Sequence, residues 1–148
     1  SFARMNEAAI RVLQKNGCEV VLPEGQTCCG ALHVHLGMRE EAQEMARRNI
    51  DAFLSQEYDA IITNAAGCGS TLKEYGLLFG PGSAEHERAE TFDSRVKYVT
   101  EFLDELGLVA PMRPLALRVT YQDSCHLLHG QKVREAPRRF GPRPRHRH

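Results

Sequence analysis

The residues of this 148-residue chain best suited to chemistry are its five cysteines, Cys18, Cys28, Cys29, Cys68 and Cys125. Two of them adjoin and are followed by glycine, as Cys28-Cys29-Gly30. A disulfide between successive residues needs a strained peptide, so the pair suits two thiolates that must reach one polynuclear metal centre. Gly30 adds the backbone freedom to wrap closely around it. A structural zinc site prefers two to four residues between paired cysteines, and a redox dithiol prefers Cys-x-x-Cys. Neither spacing occurs here. A cysteine nucleophile activated by a nearby histidine, such as His33, His35, His126 or His129, leaves the adjacency unexplained. Iron–sulfur ligation explains the most, because clusters draw thiolates from separate loops and are tuned by backbone N–H groups.

The other candidates have plainer readings. Cys18 reads as a small buried hydrophobe. His126 and His129 read as packing or capping a helix. His33 and His35 follow the paired cysteines closely enough to be ligands or hydrogen-bond donors. The charged run Arg39, Glu40, Glu41, Glu44, Arg47, Arg48 reads as solvated helix surface.

Bulk properties narrow the class. The length is that of about one domain. Net charge is zero, yet residues 134–148 carry six Arg and one Glu. The remainder holds 13 Lys/Arg against 18 Asp/Glu, a mildly acidic body that argues against a nucleic-acid surface. No run of roughly 18 apolar residues predicts a membrane span. An odd number of cysteines without a secretory signal points to a reducing, cytoplasmic compartment. The chain starts at Ser1 rather than Met, which sets the expectation of an internal fragment.

The elements expected to hold the cysteines follow from periodicity. Helical stripes cover about 4–15, 39–55, 84–93 and 96–106, with a short helix starting near Ser70. Strand-type runs fall near 19–22, 58–64 and 115–121. Helices separate the strands, so the expected fold is α/β, a small parallel sheet flanked by helices. Cys28/Cys29, Cys68 and Cys125 would each lie just past the carboxyl end of a strand, the edge where sites gather in open α/β sheets.

On these residues the chain resembles the cysteine-rich CCG-domain family, found in heterodisulfide reductase and in the iron–sulfur subunits of glycolate and lactate oxidation. The family pattern is Cys, a spacer, Cys-Cys-Gly, a second spacer, then Cys-x-x-Cys, usually present twice. Cys28-Cys29-Gly30 matches the centre, and Cys68 the last position of the final pair. Ala65 stands at that pair's first position. The flanks Asn16-Gly17-Cys18-Glu19-Val20, Asn64-Ala65-Ala66-Gly67-Cys68-Gly69 and Asp123-Ser124-Cys125-His126 look most like the glycolate oxidase (glycolate dehydrogenase) iron–sulfur subunit, over residues 2–138.

The resemblance implies an iron–sulfur cluster of the 4Fe-4S type, bound through Cys28, Cys29 and Cys68, with Cys125 as a metal ligand of a second module. It implies residues 1–110 as a first module, lacking its N-terminal start, and 111–133 as the beginning of a second; the basic tail, 134–148, reads as disordered from its composition, since Arg, Pro and Gly with one aromatic cannot build a core. It further implies a non-catalytic subunit of a complex that oxidises a 2-hydroxy acid, glycolate or lactate. There it relays electrons from a flavin-containing subunit, through other iron–sulfur modules of the parent chain, to a quinone acceptor. Peripheral association with the inner face of a membrane would come through that complex. The rival reading, favoured by Ala65, is a cluster-free docking module of the same complex; a heterodisulfide reductase-like iron–sulfur protein is a further alternative.

Overall fold

The computed structural model describes residues 2–113 and 117–140. Helix α1 spans Phe2–Lys15, α2 Ala31–His35 and α3 Arg39–Phe53. Strand β1 (Ile61–Thr63) leads into α4 (Ala66–Leu72), and a short 3₁₀ helix follows at Tyr75–Leu78. Helix α5 (Ala84–Arg95) then runs directly into strand β2 (Val96–Tyr98) and α6 (Val99–Leu106). A π-helical turn at His126–Gly130 and helix α7 (Glu135–Phe140) complete the described elements.

The architecture is α/β, with a small parallel sheet. Strands β1 and β2 pair in parallel, Ile61 opposite Val96 and Thr63 opposite Tyr98. The connection between them carries α4, the 3₁₀ helix and α5, as a parallel crossover requires. The main core forms where α3 meets this unit. Ala42, Ala46 and Ile50 of α3 pack with Ile61, Val96, Tyr75, Phe79 and Phe92. Small residues on α3 let the aromatic side chains approach its backbone, so the helix lies tight against the core. Phe92 stacks on Tyr75 with ring centroids 5.2 Å apart and meets Phe53 edge-on at 5.9 Å.

Three expected elements differ. The stretch 96–106 begins as a strand rather than a helix. Val96 is buried and its backbone pairs with Ile61, so sheet pairing overrides the local helical pattern. The run at 19–22 and residues 117–121 carry no strand pairing. Their apolar side chains are exposed, Leu22 at 69% and Leu117 at 68%, so no neighbouring strand offers the backbone bonds that a ladder needs. Residues 114–116 of the expected third strand lie outside the described residues. Of the expected strands, that at 58–64 forms, at Ile61–Thr63.

The tail expected to be disordered is partly folded: Glu135–Phe140 is helix α7. Ala136 packs with Leu127 and Val133, and Arg139 pairs with Asp104 of α6 at 2.7 Å, which gives the segment an apolar face and an anchor. Residues 141–148 lie outside the described residues. Helix α1 ends as its Asn16-Gly17 pair leads one to expect. Gly17 has φ 87°, and the Cys18 N–H reaches back to the Leu13 carbonyl at 3.1 Å, a left-handed C-terminal stop.

Candidate metal centre

Cys28 and Cys29 sit in the loop that enters α2. Gly30, the residue before that helix, has φ 78° and packs against Ala42 of α3. A side chain at this left-handed position would be strained, so the motif's glycine is what lets the chain turn into α2 beside the thiols. Cys68 arrives from the other side, in the first turn of α4, just beyond the carboxyl end of β1. Thus a loop and a short helix, forty residues apart in sequence, deliver three thiols to one place.

The three differ in environment. Cys28 and Cys68 are exposed, and Cys29 is buried at 9% exposure. Burial is the main reason the Cys29 thiol is pushed up to about 12. The Ala31 N–H pulls the other way; Cys68 raises it further, as a side-chain neighbour and by its charge, and Cys28 by its charge. Cys29 is therefore a thiol at neutral pH, and any metal it binds must displace its proton. Among the described residues no three Cys, His, Asp or Glu side chains converge tightly enough for one metal ion. A polynuclear centre takes its thiolates from wider apart, since each bonds a different metal atom. Three thiols are a donor set that fits iron–sulfur chemistry and would supply part of a cluster's ligands.

The backbone of the paired cysteines is held from beneath by two buried polar side chains. Asn49 of α3 accepts from the Thr27 N–H at 2.8 Å and donates to the Cys28 carbonyl at 3.1 Å. It also donates to the Tyr75 hydroxyl at 2.9 Å, and that hydroxyl donates to the Cys29 carbonyl at 3.0 Å. Tyr75 is in turn fixed by Asp93 of α5, whose carboxylate accepts the N–H groups of Tyr75 (3.2 Å) and Gly76 (2.8 Å). Burial pushes the Asp93 carboxyl up to about 6, against the opposing effect of those two bonds. Burial likewise raises the Tyr75 phenol, so it stays a donor.

Neither Asn49 nor Tyr75 is marked out by its own spacing to a cysteine. The available signal is Asn49 itself, one polar residue inside the apolar stripe Ala42, Ala46, Ile50, Phe53. Tyr75 gives no comparable signal.

Cys125 approaches this region by another route. It immediately precedes the turn at His126–Gly130, and the His126 ring meets the His35 ring of α2 with centroids 6.5 Å apart. Gln131 ties the same turn to α4, donating to the Ala66 carbonyl at 2.8 Å. Gly69 makes that approach possible. A Cβ there would lie 2.6 Å from Gln131 Nε2 and 2.9 Å from Thr63 Cγ2. Gly69 therefore serves the packing of α4 against this turn, and Gly67 has open space around it. Cys125 itself is exposed, and Cys18 lies half-buried after α1. His33 is half-buried, with Nδ1 buried and lacking a hydrogen-bond partner among the described residues. Ala65 is exposed, at the residue that precedes α4.

A family model for the cysteine-rich CCG domain matches residues 2–73, the stretch that carries Cys28, Cys29 and Cys68. The chain is 42% identical to the probable glycolate oxidase iron–sulfur subunit of Bacillus subtilis, over 94% of this chain and 32% of that protein. It is 39% identical to an uncharacterized iron–sulfur protein of Methanocaldococcus jannaschii, over 88% of this chain and 24% of that protein. It is 32% identical to lactate utilization protein A of Oceanobacillus iheyensis, over 94% of this chain and 57% of that protein. The chain thus spans between a quarter and three fifths of these relatives' lengths. No solved structure matches it. Over residues 2–73, with its Cys-Cys-Gly loop and the Cys68 turn, the chain matches the cysteine-rich CCG domain.

Proposed function

We propose that this chain holds an iron–sulfur centre through Cys28, Cys29 and Cys68 and serves as an electron-transfer part of an oxidoreductase complex. The observation that carries the reading is the convergence of three thiols from the Cys-Cys-Gly loop and from α4, close enough for Cys28 and Cys68 to act on Cys29. When bound, an iron–sulfur centre takes up and passes on single electrons, at a potential set by burial and hydrogen bonds.

This chain's residues supply the conditions for that. Cys28 and Cys68, both exposed, place two donors at the surface, where an electron donor or acceptor can approach. Cys29 lies below them, away from water. The Asn49 and Tyr75 bonds to the loop leave its carbonyls engaged inward.

By likeness to the glycolate oxidase and lactate utilization relatives, the complex would oxidise a 2-hydroxy acid. A flavin-containing partner would receive the hydride, and this chain would pass electrons on towards a quinone. The centre would be of the 4Fe-4S type. Residues 111–133 would open a second module with Cys125 as its first ligand, seated on α4 by Gln131. Among the described residues no helix is long and apolar enough to cross a membrane, so contact with a quinone in the bilayer would come through other parts of the complex.

A second reading has its own observation. Ala65 stands exposed before α4, where the family pattern has cysteine. With that ligand lost, the module would dock the flavin partner without carrying electrons. Anaerobic reconstitution with iron and sulfide separates the two. Iron together with acid-labile sulfide supports the first reading, and an iron-free protein that still binds the flavin partner supports the second.

A further inference from the structure

We infer that Asn49 and Tyr75 are positioning residues that set the two adjacent thiols apart, Cys28 outward and Cys29 inward. The inference rests on the reading of this pair as ligands and deepens it. Asn49 is 2% exposed and Tyr75 fully buried, among the most deeply buried side chains of the chain. An asparagine on an apolar helix face is costly unless every polar atom is paired. Here every one is. Asn49 Oδ1 takes the Thr27 N–H, and its two amide hydrogens go to the Cys28 carbonyl and the Tyr75 hydroxyl. The hydroxyl spends its own hydrogen on the Cys29 carbonyl. Three consecutive residues of the loop are thereby held by side chains 21 to 46 positions away.

Anchoring a loop needs no such set; one bond suffices. Engaging both carbonyls fixes two successive peptide planes, and those planes set the Cα–Cβ directions of Cys28 and Cys29. The outcome matches, because Cys28 is exposed and Cys29 is buried. Tyr75 can serve as a fixed post because the Asp93 carboxylate accepts its backbone N–H and that of Gly76.

The test uses the metal-free chain and an aromatic disulfide reagent, with labelling of each cysteine followed by peptide mapping. In the parent protein Cys28 should label at least tenfold faster than Cys29. Tyr75→Phe keeps the ring and loses the hydroxyl. It should narrow that gap by about tenfold, the order of one buried hydrogen bond, and leave Cys68 labelling unchanged. Phe92→Leu loosens the same core and leaves both bonds in place. Compared at equal distance from its own unfolding midpoint, it should keep the parental gap. An unchanged gap in Tyr75→Phe, or an equal narrowing in Phe92→Leu, would overturn the inference. Reconstitution of the parent with iron and sulfide is run alongside. If it retains no iron, the ligand reading fails, while the labelling ratios still decide whether the pair is positioned by Asn49 and Tyr75.

Discussion

Tyr75 donates its hydroxyl to the carbonyl of Cys29, 3.0 Å away and 46 positions earlier in the chain. The bond joins the main core to the Cys-Cys-Gly loop, so the stability of the core and the geometry of the candidate centre are coupled through it.

Removing the other half of that link should be expensive. Asn49→Ala strips partners from the Thr27 N–H, the Cys28 carbonyl and the Tyr75 hydroxyl. Leaving buried polar groups unpaired costs about 2–4 kcal/mol in total here, at about 1–3 kcal/mol for a fully buried group. Denaturant unfolding of the metal-free chain measures it. A loss below about 1 kcal/mol would mean that water replaces the amide.

Two glycines of α4 should respond oppositely to alanine. A Cβ on Gly69 would collide with Gln131 and Thr63, so Gly69→Ala should cost about 1–3 kcal/mol and loosen the turn at His126–Gly130 from α4. Gly67→Ala meets open space and improves helix propensity, so it should be neutral or stabilising by up to about 1 kcal/mol. Thermal unfolding of the two variants gives the comparison, and equal losses would contradict the packing described.

Asp93 should leave a signature in the pH dependence of stability. Its carboxyl is raised from 3.8 to about 6 in the folded chain. Between those values the folded state binds more protons than the unfolded state, so this group's contribution is full below the lower value and is lost as pH rises through 6. The stability difference between the parent and Asp93→Asn should therefore be larger near pH 4.5 than near pH 7.5. Chemical denaturation at the two values reads it, and a difference that grows with pH would show that the carboxylate is favoured rather than opposed by its site.

The sequence and the structure agree best where chemistry and local signals coincide. Cys28-Cys29-Gly30 is legible because adjacency is a chemical statement, and Gly30 takes the left-handed conformation its position requires. The helices over 39–53 and 84–95 follow from apolar periodicity, and the end of α1 from Asn16-Gly17. The strand at Val96–Tyr98 is hidden because it is three residues long and pressed between two helices, where only pairing with Ile61 defines it. The bond from Tyr75 to Cys29 is hidden for a related reason. It is made by tertiary packing, and a lone tyrosine reads the same in the sequence whether or not a carbonyl lies above it. Asn49 is the instructive case, since a polar residue inside the apolar stripe of α3 is visible in the sequence and marks a buried network.

Ala65 offers a gain-of-function test. Restoring the family pattern with Ala65→Cys places a fourth thiol in the residue before α4, three positions from Cys68. The variant should retain more iron per chain than the parent after reconstitution and desalting, by about twofold or more, as an added thiolate ligand should give. Equal retention would show that this position does not reach the centre.

The central claim is that Cys28, Cys29 and Cys68 hold one iron–sulfur centre. The most direct measurement is iron, acid-labile sulfide and zinc per chain after anaerobic reconstitution, in the parent and in Cys28→Ser, Cys29→Ser, Cys68→Ser and Cys18→Ser. The expected result is matched iron and sulfide in the parent and in Cys18→Ser, with both reduced at least threefold in each of the other three. Iron content unchanged by those three substitutions, or one zinc per chain in place of iron, would contradict it.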